Sequence, residues 1–129
     1  MNVEINDSLV PDLGYLIYRK CTPSWEIAEN EISFYDITYV IEGRGVYTIN
    51  GVPHEVKKGD LLCIPTGSIR KAHSLVDDLM HLYSANFKLY DINGLNASLP
   101  LPLVSHIGIK SDLIALFREL SDAWVRKET

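Results

Sequence analysis

The stretch DITYVIEGRGVYTINGVPHEVKKGDLLCIPTGSIR, residues 36–70, decides the fold of this chain. Its β-branched and aromatic segments are separated by Gly-containing turns, and Asn50-Gly51 is the strongest hairpin signal among them. Lys57-Lys58-Gly59-Asp60 marks a second turn, and Pro65-Thr66-Gly67 ends a short apolar strand. Two strand pairs in this order predict a small antiparallel β-barrel whose interior can hold a ligand.

The segments on either side of this stretch extend the β pattern and then end it. Residues 21–30 have turn chemistry at Thr22-Pro23-Ser24 and are predicted as a loop, and residues 91–102 are turn-rich and are predicted to leave the barrel. Ser111 is a predicted N-cap, followed by apolar residues at helical spacing over 111–126. The predicted strands cover residues 13–20, 32–41, 46–49, 52–56, 61–64, 70–75 and 80–89.

Length, charge and cysteine content limit the class of protein. A chain of 129 residues forms one domain, and 47% hydrophobic with 22% charged residues is ordinary globular composition. The formal net charge of −5, with no basic cluster, argues against DNA binding by this chain alone. Cys21 and Cys63 have no C-x-x-C partner and are predicted to be reduced thiols. The N-terminus does not resemble a signal peptide, and no apolar run reaches ~20 residues, so we expect a cytoplasmic protein without a membrane partner.

Two glycine motifs carry a family resemblance. The first is the spacing of Gly59, Pro65 and Gly67, with five residues between the first two and one between the last two, which resembles the second signature of the cupin barrels. The other is Asp36 with Gly43, which resembles the end of the first cupin signature, with aspartate where glutamate usually stands. The sequence of residues 36–69, together with HLYSANFKLYD at 81–91, is most similar to the N-terminal sensor and dimerisation domain of AraC-type transcriptional regulators. The resemblance covers about residues 13–125.

This resemblance implies a mainly β fold. The expected architecture is a cupin-like antiparallel β-barrel (a double-stranded β-helix or jelly roll) followed by one or two C-terminal helices. The expected organisation is an N-terminal arm at 1–12, the barrel at 13–92, and a linker with an amphipathic dimerisation helix at 93–129. The chain looks like a sensor domain cut from a longer protein, because such regulators continue into a DNA-binding module of two helix-turn-helix units.

The metal ligands of enzymatic cupins are missing from the matching positions. Their His-x-His pair falls on residues 29–32, Glu-Asn-Glu-Ile, and a further histidine falls on Arg70. Asp36 alone remains of a site that needs three or four converging ligands. We therefore expect no metal, no other cofactor and no enzymatic activity. A small metal-dependent cupin enzyme, of the isomerase or dioxygenase type, is the alternative, and a module that serves only to dimerise is a third possibility.

The candidate effector site lies inside the predicted barrel. If Asp36 points inward as its motif position implies, Thr38 lies on the same side and Arg70 can meet Asp36 across the interior. That pair either binds a sugar hydroxyl or carboxylate or is a structural ion pair, and Trp25 either stacks on a sugar ring or covers the core. Ser84 stands where the family often has a tryptophan, which disfavours an arabinose-like stacking mode. The predicted ligand-binding residues are Thr22, Trp25, Asp36, Thr38, Arg70, Leu82 and Ser84.

The C-terminal helix has two interpretations. Its apolar face either packs only on its own barrel or also pairs two subunits around a twofold axis, as in the resembling family. We expect a homodimer with a small-molecule effector, and DNA as a partner only through a helix-turn-helix module outside this chain. The predicted dimerisation residues are Leu113, Leu116, Phe117, Leu120 and Trp124.

Overall fold

The computed structural model describes residues 9–128, which form nine strands and one helix. The elements are β1 (Val10–Lys20), β2 (Glu26–Glu31), β3 (Tyr35–Glu42), β4 (Arg44–Ile49), β5 (Val52–Lys57), β6 (Asp60–Ile64), β7 (Ile69–Ser74), β8 (His81–Tyr90), β9 (Val104–His106) and α1 (Ser111–Glu128). The prediction of a mainly β, cupin-like fold followed by a C-terminal helix is confirmed.

The strands form two antiparallel sheets that face each other across the main core. One sheet has the order β1-β8-β3-β6-β9, and the other has the order β2-β7-β4-β5. Alternation along each strand sends every second side chain between the sheets, where apolar side chains from both exclude water. The buried residues of this core are Cys21, Ile32, Val40, Tyr47, Ile49, Val56, Leu62, Ile64, Ala72, Met80 and Leu82.

The Asn50-Gly51 hairpin joins β4 and β5 as predicted. Asn50 has φ 52° and Gly51 has φ 82°, which is the pair of positive φ values that a type I′ turn requires. The Asn50 side chain accepts a hydrogen bond from the backbone N–H of Ile69 at 2.8 Å, so the turn is also tied to β7.

Two strands lie where the sequence analysis predicted none. β2 (Glu26–Glu31) lies in the predicted loop at 21–30 and extends one residue beyond it. The prediction of a loop was therefore wrong for residues 26–30. Its sequence EIAENE is polar and mostly exposed because it is an edge strand, and its pairing with β7 is interrupted between Ile27 and Asn30. β9 lies in the predicted linker and extends the first sheet by pairing with β6. Its three residues are too few to show a period of two.

β1 begins at Val10, inside the stretch 1–12 that was predicted as an N-terminal arm, and pairs with β8 from Val10 onward. Residues 1–8 of that predicted arm lie outside the described part of the chain.

The helix α1 packs on the outer face of the five-stranded sheet. The Phe117 ring stacks on Tyr39 and Tyr83, with centroid distances of 6.1 and 5.5 Å. The Tyr39 hydroxyl donates to the Gly108 carbonyl at 2.8 Å and accepts from the Lys110 N–H at 2.9 Å. The N-cap is Lys110 rather than the predicted Ser111, since the Lys110 carbonyl accepts the first helical hydrogen bond, from Ile114. Tyr39 thus fixes the point at which the helix begins.

Candidate functional site

A polar network lies inside the barrel on β3 and β8. Asp36 and Thr38 point inward by the alternation of β3, and Ser84 lies opposite Thr38 in the ladder with β8. The Thr38 hydroxyl donates to Asp36 Oδ1 at 2.7 Å, and the Ser84 hydroxyl donates to the same oxygen at 3.2 Å. Both hydroxyls thereby stabilise the Asp36 carboxylate, which is 1% exposed.

Arg70 reaches this network from β7 of the opposite sheet. Its Nη1 donates to Asp36 Oδ2, and its side chain is 10% exposed. The Arg70 guanidinium also lies over the Phe34 ring, with 5.4 Å from Cζ to the ring centroid. The predicted meeting of Asp36 and Arg70 inside the barrel is therefore present.

A cavity of about 380 Å³ opens beside this network. Trp25, Asp36, Arg70, Leu82 and Ser84, all predicted as ligand-binding, line it together. The remaining lining residues are Tyr15, Ile17, Arg19, Glu26, Ile27, Tyr47 and Asn86.

Two predicted site residues do not line the cavity. Thr38 is fully buried behind the network and acts on the cavity through Asp36. Thr22 is exposed in the turn after β1, where its hydroxyl lies 3.3 Å from the Ser24 hydroxyl and its carbonyl accepts the Trp25 N–H. The backbone of Thr22 therefore holds Trp25 in the turn, while the Thr22 side chain is exposed and lies outside the cavity.

The sequence analysis missed several lining residues for different reasons. Tyr47 could have been predicted from the sequence, because strict alternation along β4 points its side chain inward, between Val46 and Thr48. Asn86 could also have been predicted, because alternation along β8 places it on the same side as Leu82 and Ser84. Tyr15 could not, because the register of β1 on β8 shifts between Leu13 and Tyr15. A shift of one residue reverses which side chains face inward, and it leaves no local pattern.

Two buried polar atoms at the cavity have no hydrogen-bond partner within residues 9–128. They are Arg70 Nε, a donor, and Asn86 Oδ1, an acceptor. Buried polar groups are nearly always paired, so this unmet capacity calls for a partner. Arg70 Nε lacks an acceptor and Asn86 Oδ1 lacks a donor, and a hydroxyl group can act as either.

Tyr47, which lines the cavity, and the two cysteines stay protonated at neutral pH. Burial raises the pKa of the Tyr47 phenol and the Asp36 carboxylate raises it further, while a hydrogen bond with Thr38 lowers it. Burial raises the pKa of the Cys21 thiol to about 11 against a smaller lowering by Arg19, and burial and Asp36 raise the pKa of Cys63. Both cysteines are free and buried, in line with the prediction of reduced thiols. These groups act as neutral donors rather than as nucleophiles.

The residues of the cavity do not fit the metal site of enzymatic cupins. The Asp36 carboxylate, the one retained ligand position, is neutralised by the Arg70 guanidinium, and a cation beside it opposes the binding of a second cation. Within residues 9–128, no group of three or more histidine, cysteine, aspartate or glutamate side chains is arranged to hold a metal ion.

A larger cavity of about 510 Å³ lies elsewhere on the barrel, between the β2–β3 turn, the Pro65-Thr66-Gly67 turn and β8. Its charged residues, Glu31 and Lys88, are exposed, and it borders no buried ion pair. The interior cavity is therefore the stronger candidate site.

The predicted dimerisation residues divide between two environments. Leu113, Phe117 and Trp124 pack on the outer face of the chain's own barrel. Leu116 is 52% exposed and Leu120 is 47% exposed, so a second apolar strip of the helix remains uncovered. In the described part of the chain, no helix is both long and apolar enough to cross a bilayer.

Comparisons with known proteins agree with this geometry. The family model described as AraC-like ligand binding domain matches residues 13–128. No curated relative matches the chain.

Several solved structures are similar to the chain, among them the following three. The salicylate 1,2-dioxygenase of Pseudaminobacter salicylatoxidans has 21% identity and a TM-score of 0.49, over 61% of this chain and 22% of that protein. The Cnp3 cupin domain of Schizosaccharomyces pombe has 14% identity and a TM-score of 0.47, over 61% and 55%. KdgF of a Halomonas species has 15% identity and a TM-score of 0.47, over 62% and 79%. The chain thus spans less than two thirds of the first two structures.

Proposed function

The chain belongs to the family of AraC-like ligand-binding domains, and from this premise we propose that it senses a sugar or related polar metabolite inside its barrel. We further propose that it does so as the dimerisation domain of an AraC-type transcriptional regulator in the cytoplasm. The proposal is for a binding protein rather than an enzyme.

The observation that carries the proposal is the buried Asp36–Arg70 network beside a cavity of about 380 Å³. Arg70 offers a donor through its unpaired Nε and Asn86 offers an acceptor through its unpaired Oδ1, so the wall can hydrogen-bond hydroxyls in either direction. Apolar side chains such as Leu82 and Ile27 line the same space, as in ordinary small-molecule sites. The unpaired Arg70 Nε and Asn86 Oδ1 support a ligand with several hydroxyl groups.

The proposed mechanism is a shift between two arrangements of the domain. A ligand favours the arrangement that it binds more tightly, and a ligand with equal affinity for both changes nothing. Dimerisation through the exposed strip of α1, with Leu116 and Leu120, would carry the change to attached DNA-binding modules. The two free thiols, Cys21 and Cys63, support a reducing compartment.

A thermal-shift screen against sugars, sugar acids and other metabolites, with divalent metals in parallel, tests the proposal. A metabolite at one hundred times its dissociation constant stabilises the native state by about 2.7 kcal/mol, and we expect such a shift. Ser84→Ala should weaken the response because it removes a hydroxyl from the cavity wall, whereas Ser24→Ala, in an exposed turn, is the matched control.

Three results would contradict the proposal. Stabilisation by a metal alone, with stoichiometric metal in the purified protein, would favour a cupin enzyme. No response to either set would favour a module that serves only to dimerise. An equal loss of response in Ser84→Ala and Ser24→Ala would place the ligand outside the cavity.

A further inference from the structure

A second cavity of about 330 Å³ adjoins the first one. Tyr15 and Asn86 line both cavities, so the two spaces share a wall. The unpaired Asn86 Oδ1 belongs to this shared wall. A group in the second space would therefore be the neighbour, across Tyr15 and Asn86, of a polar group bound beside Arg70.

The two cavities differ in chemistry. The first is bordered by the charged side chains Arg19, Glu26, Asp36 and Arg70. The second has three aromatic side chains in its lining, Tyr15, Phe34 and Tyr90, beside the charged Asp12 and Lys88. Aromatic side chains bind flat apolar groups by burying large areas and by stacking or edge contacts.

Phe34 connects the two environments. It is half-buried in the bend between β2 and β3, and it lines the second cavity. Its ring also lies under the guanidinium of Arg70, which lines the first cavity. An aromatic group in the second cavity would therefore contact the residue that also positions Arg70.

Gly14 leaves part of the second cavity's wall without a side chain. A Cβ added at Gly14 would meet the Asn86 carbonyl oxygen at 3.6 Å, which is an ordinary contact. Packing therefore does not require glycine here, and the missing side chain keeps the space open to a ligand.

We propose that the site takes a two-part ligand, with a hydroxylated head in the Asp36–Arg70 cavity and an aryl group in the Phe34 cavity. This inference rests on the proposed function and narrows it, because a compact sugar would fill the first cavity alone. Phe34 and Tyr15 are then specificity-determining residues for the aryl group.

The test compares methyl and phenyl glycosides with the same sugar head by calorimetry on the full chain. The probes are the methyl and phenyl β-D-glucosides, β-D-galactosides and β-D-xylosides. For the head that fits, we expect the phenyl glycoside to bind at least about tenfold more tightly, because a buried ring adds apolar area. Phe34→Leu, which keeps most of the apolar volume, and Tyr15→Ala should each reduce this ratio of dissociation constants toward one.

Tyr18→Ala is the matched control. Tyr18 is 38% exposed and Tyr15 is 37% exposed, and both lie on β1, but Tyr18 lies outside both cavities. The ratio should stay unchanged in this variant. Equal binding of methyl and phenyl glycosides would overturn the two-part ligand while leaving the sensor function intact. A phenyl preference that survives both Phe34→Leu and Tyr15→Ala would also overturn it. Absence of binding by every probe, in a protein that responds to another metabolite in the thermal-shift screen, would overturn this inference and leave the sensor function intact.

Discussion

At the scale of single residues, Asp36 and Arg70 combine two opposite charges with nearly complete burial. Taking both out of water costs free energy that their attraction and the hydrogen bonds from Thr38 and Ser84 must offset. Removing one partner leaves the other charge buried and unpaired, and this is more costly than removing both.

We therefore predict a strong coupling in a double-mutant cycle. Arg70→Met should lower the free energy of unfolding by about 3–5 kcal/mol, because the Asp36 carboxylate loses its buried partner. The double variant Arg70→Met with Asp36→Leu should lose clearly less than the sum of the two single variants. Urea unfolding of the wild type and the three variants measures the four values. Additive losses would show that the two charges are solvated independently.

Some residues of the cavity wall could be predicted from the sequence, and others could not. Asp36 and Arg70 were predicted because a family motif fixes their positions in the barrel, and Trp25, Leu82 and Ser84 were predicted with them. Tyr15 escaped because its orientation depends on the shifted register after Leu13, which is a property of two strands rather than of one.

At the scale of elements, the β3–β4 junction depends on close backbone contact at one glycine. Gly43 has φ 75°, and a Cβ there would lie 2.1 Å from the Leu79 carbonyl oxygen. Gly51, in the β4–β5 hairpin, has φ 82° but nothing within 4 Å of an added Cβ. Both positions require a positive φ, but only at Gly43 would an added Cβ clash with neighbouring backbone atoms.

Alanine at each position separates these effects. Gly51→Ala should cost about 1–2 kcal/mol, the penalty for a left-handed conformation. Gly43→Ala should cost more than about 4 kcal/mol, because the backbone around Leu79 must also move. Thermal and urea unfolding of both variants measures the difference, and loss of cooperative unfolding in Gly43→Ala agrees with it. A cost at Gly43 equal to that at Gly51 would mean that the loop after β7 yields without strain.

The elements that the sequence predicted share a physical property. Each has a signal in its own residues: β-branched and aromatic side chains in the strands, including the edge strand β1, and local backbone energetics in the Asn50-Gly51 hairpin that leads into the edge strand β5. The edge strand β2 carries neither signal, because its backbone pairing with β7 is non-local and its side chains face mostly water. The paired edge β9 is too short for any pattern.

At the scale of the whole molecule, the helix α1 leaves Leu116 and Leu120 exposed although Phe117 between them is buried. Apolar side chains on one uncovered strip of a helix are suited to a symmetric contact with a second copy. The barrel itself does not use these two leucines.

We predict that this strip holds a dimer together. The wild-type protein should have twice the 14.6 kDa mass of the chain by light scattering after size exclusion. Leu116→Glu with Leu120→Glu should give the single-chain mass without a loss of unfolding temperature at low protein concentration, because buried charges oppose association. Val76→Glu, at an exposed apolar position away from the helix, is the control. A wild-type monomer, or a dimer that survives both glutamates, would contradict the prediction.

Thr38 and Tyr39 are consecutive residues of β3 whose side chains lie on opposite faces of the sheet. Thr38 bonds the Asp36 carboxylate beside the cavity, and Tyr39 bonds the two backbone groups at which the helix begins. A single planar, rigid peptide unit separates them. One backbone therefore lies between the interior cavity and the face on which α1 packs. Under the proposed function, a ligand that shifts Asp36 would act on Thr38 and, through the same strand, on the tyrosine that anchors the start of the helix.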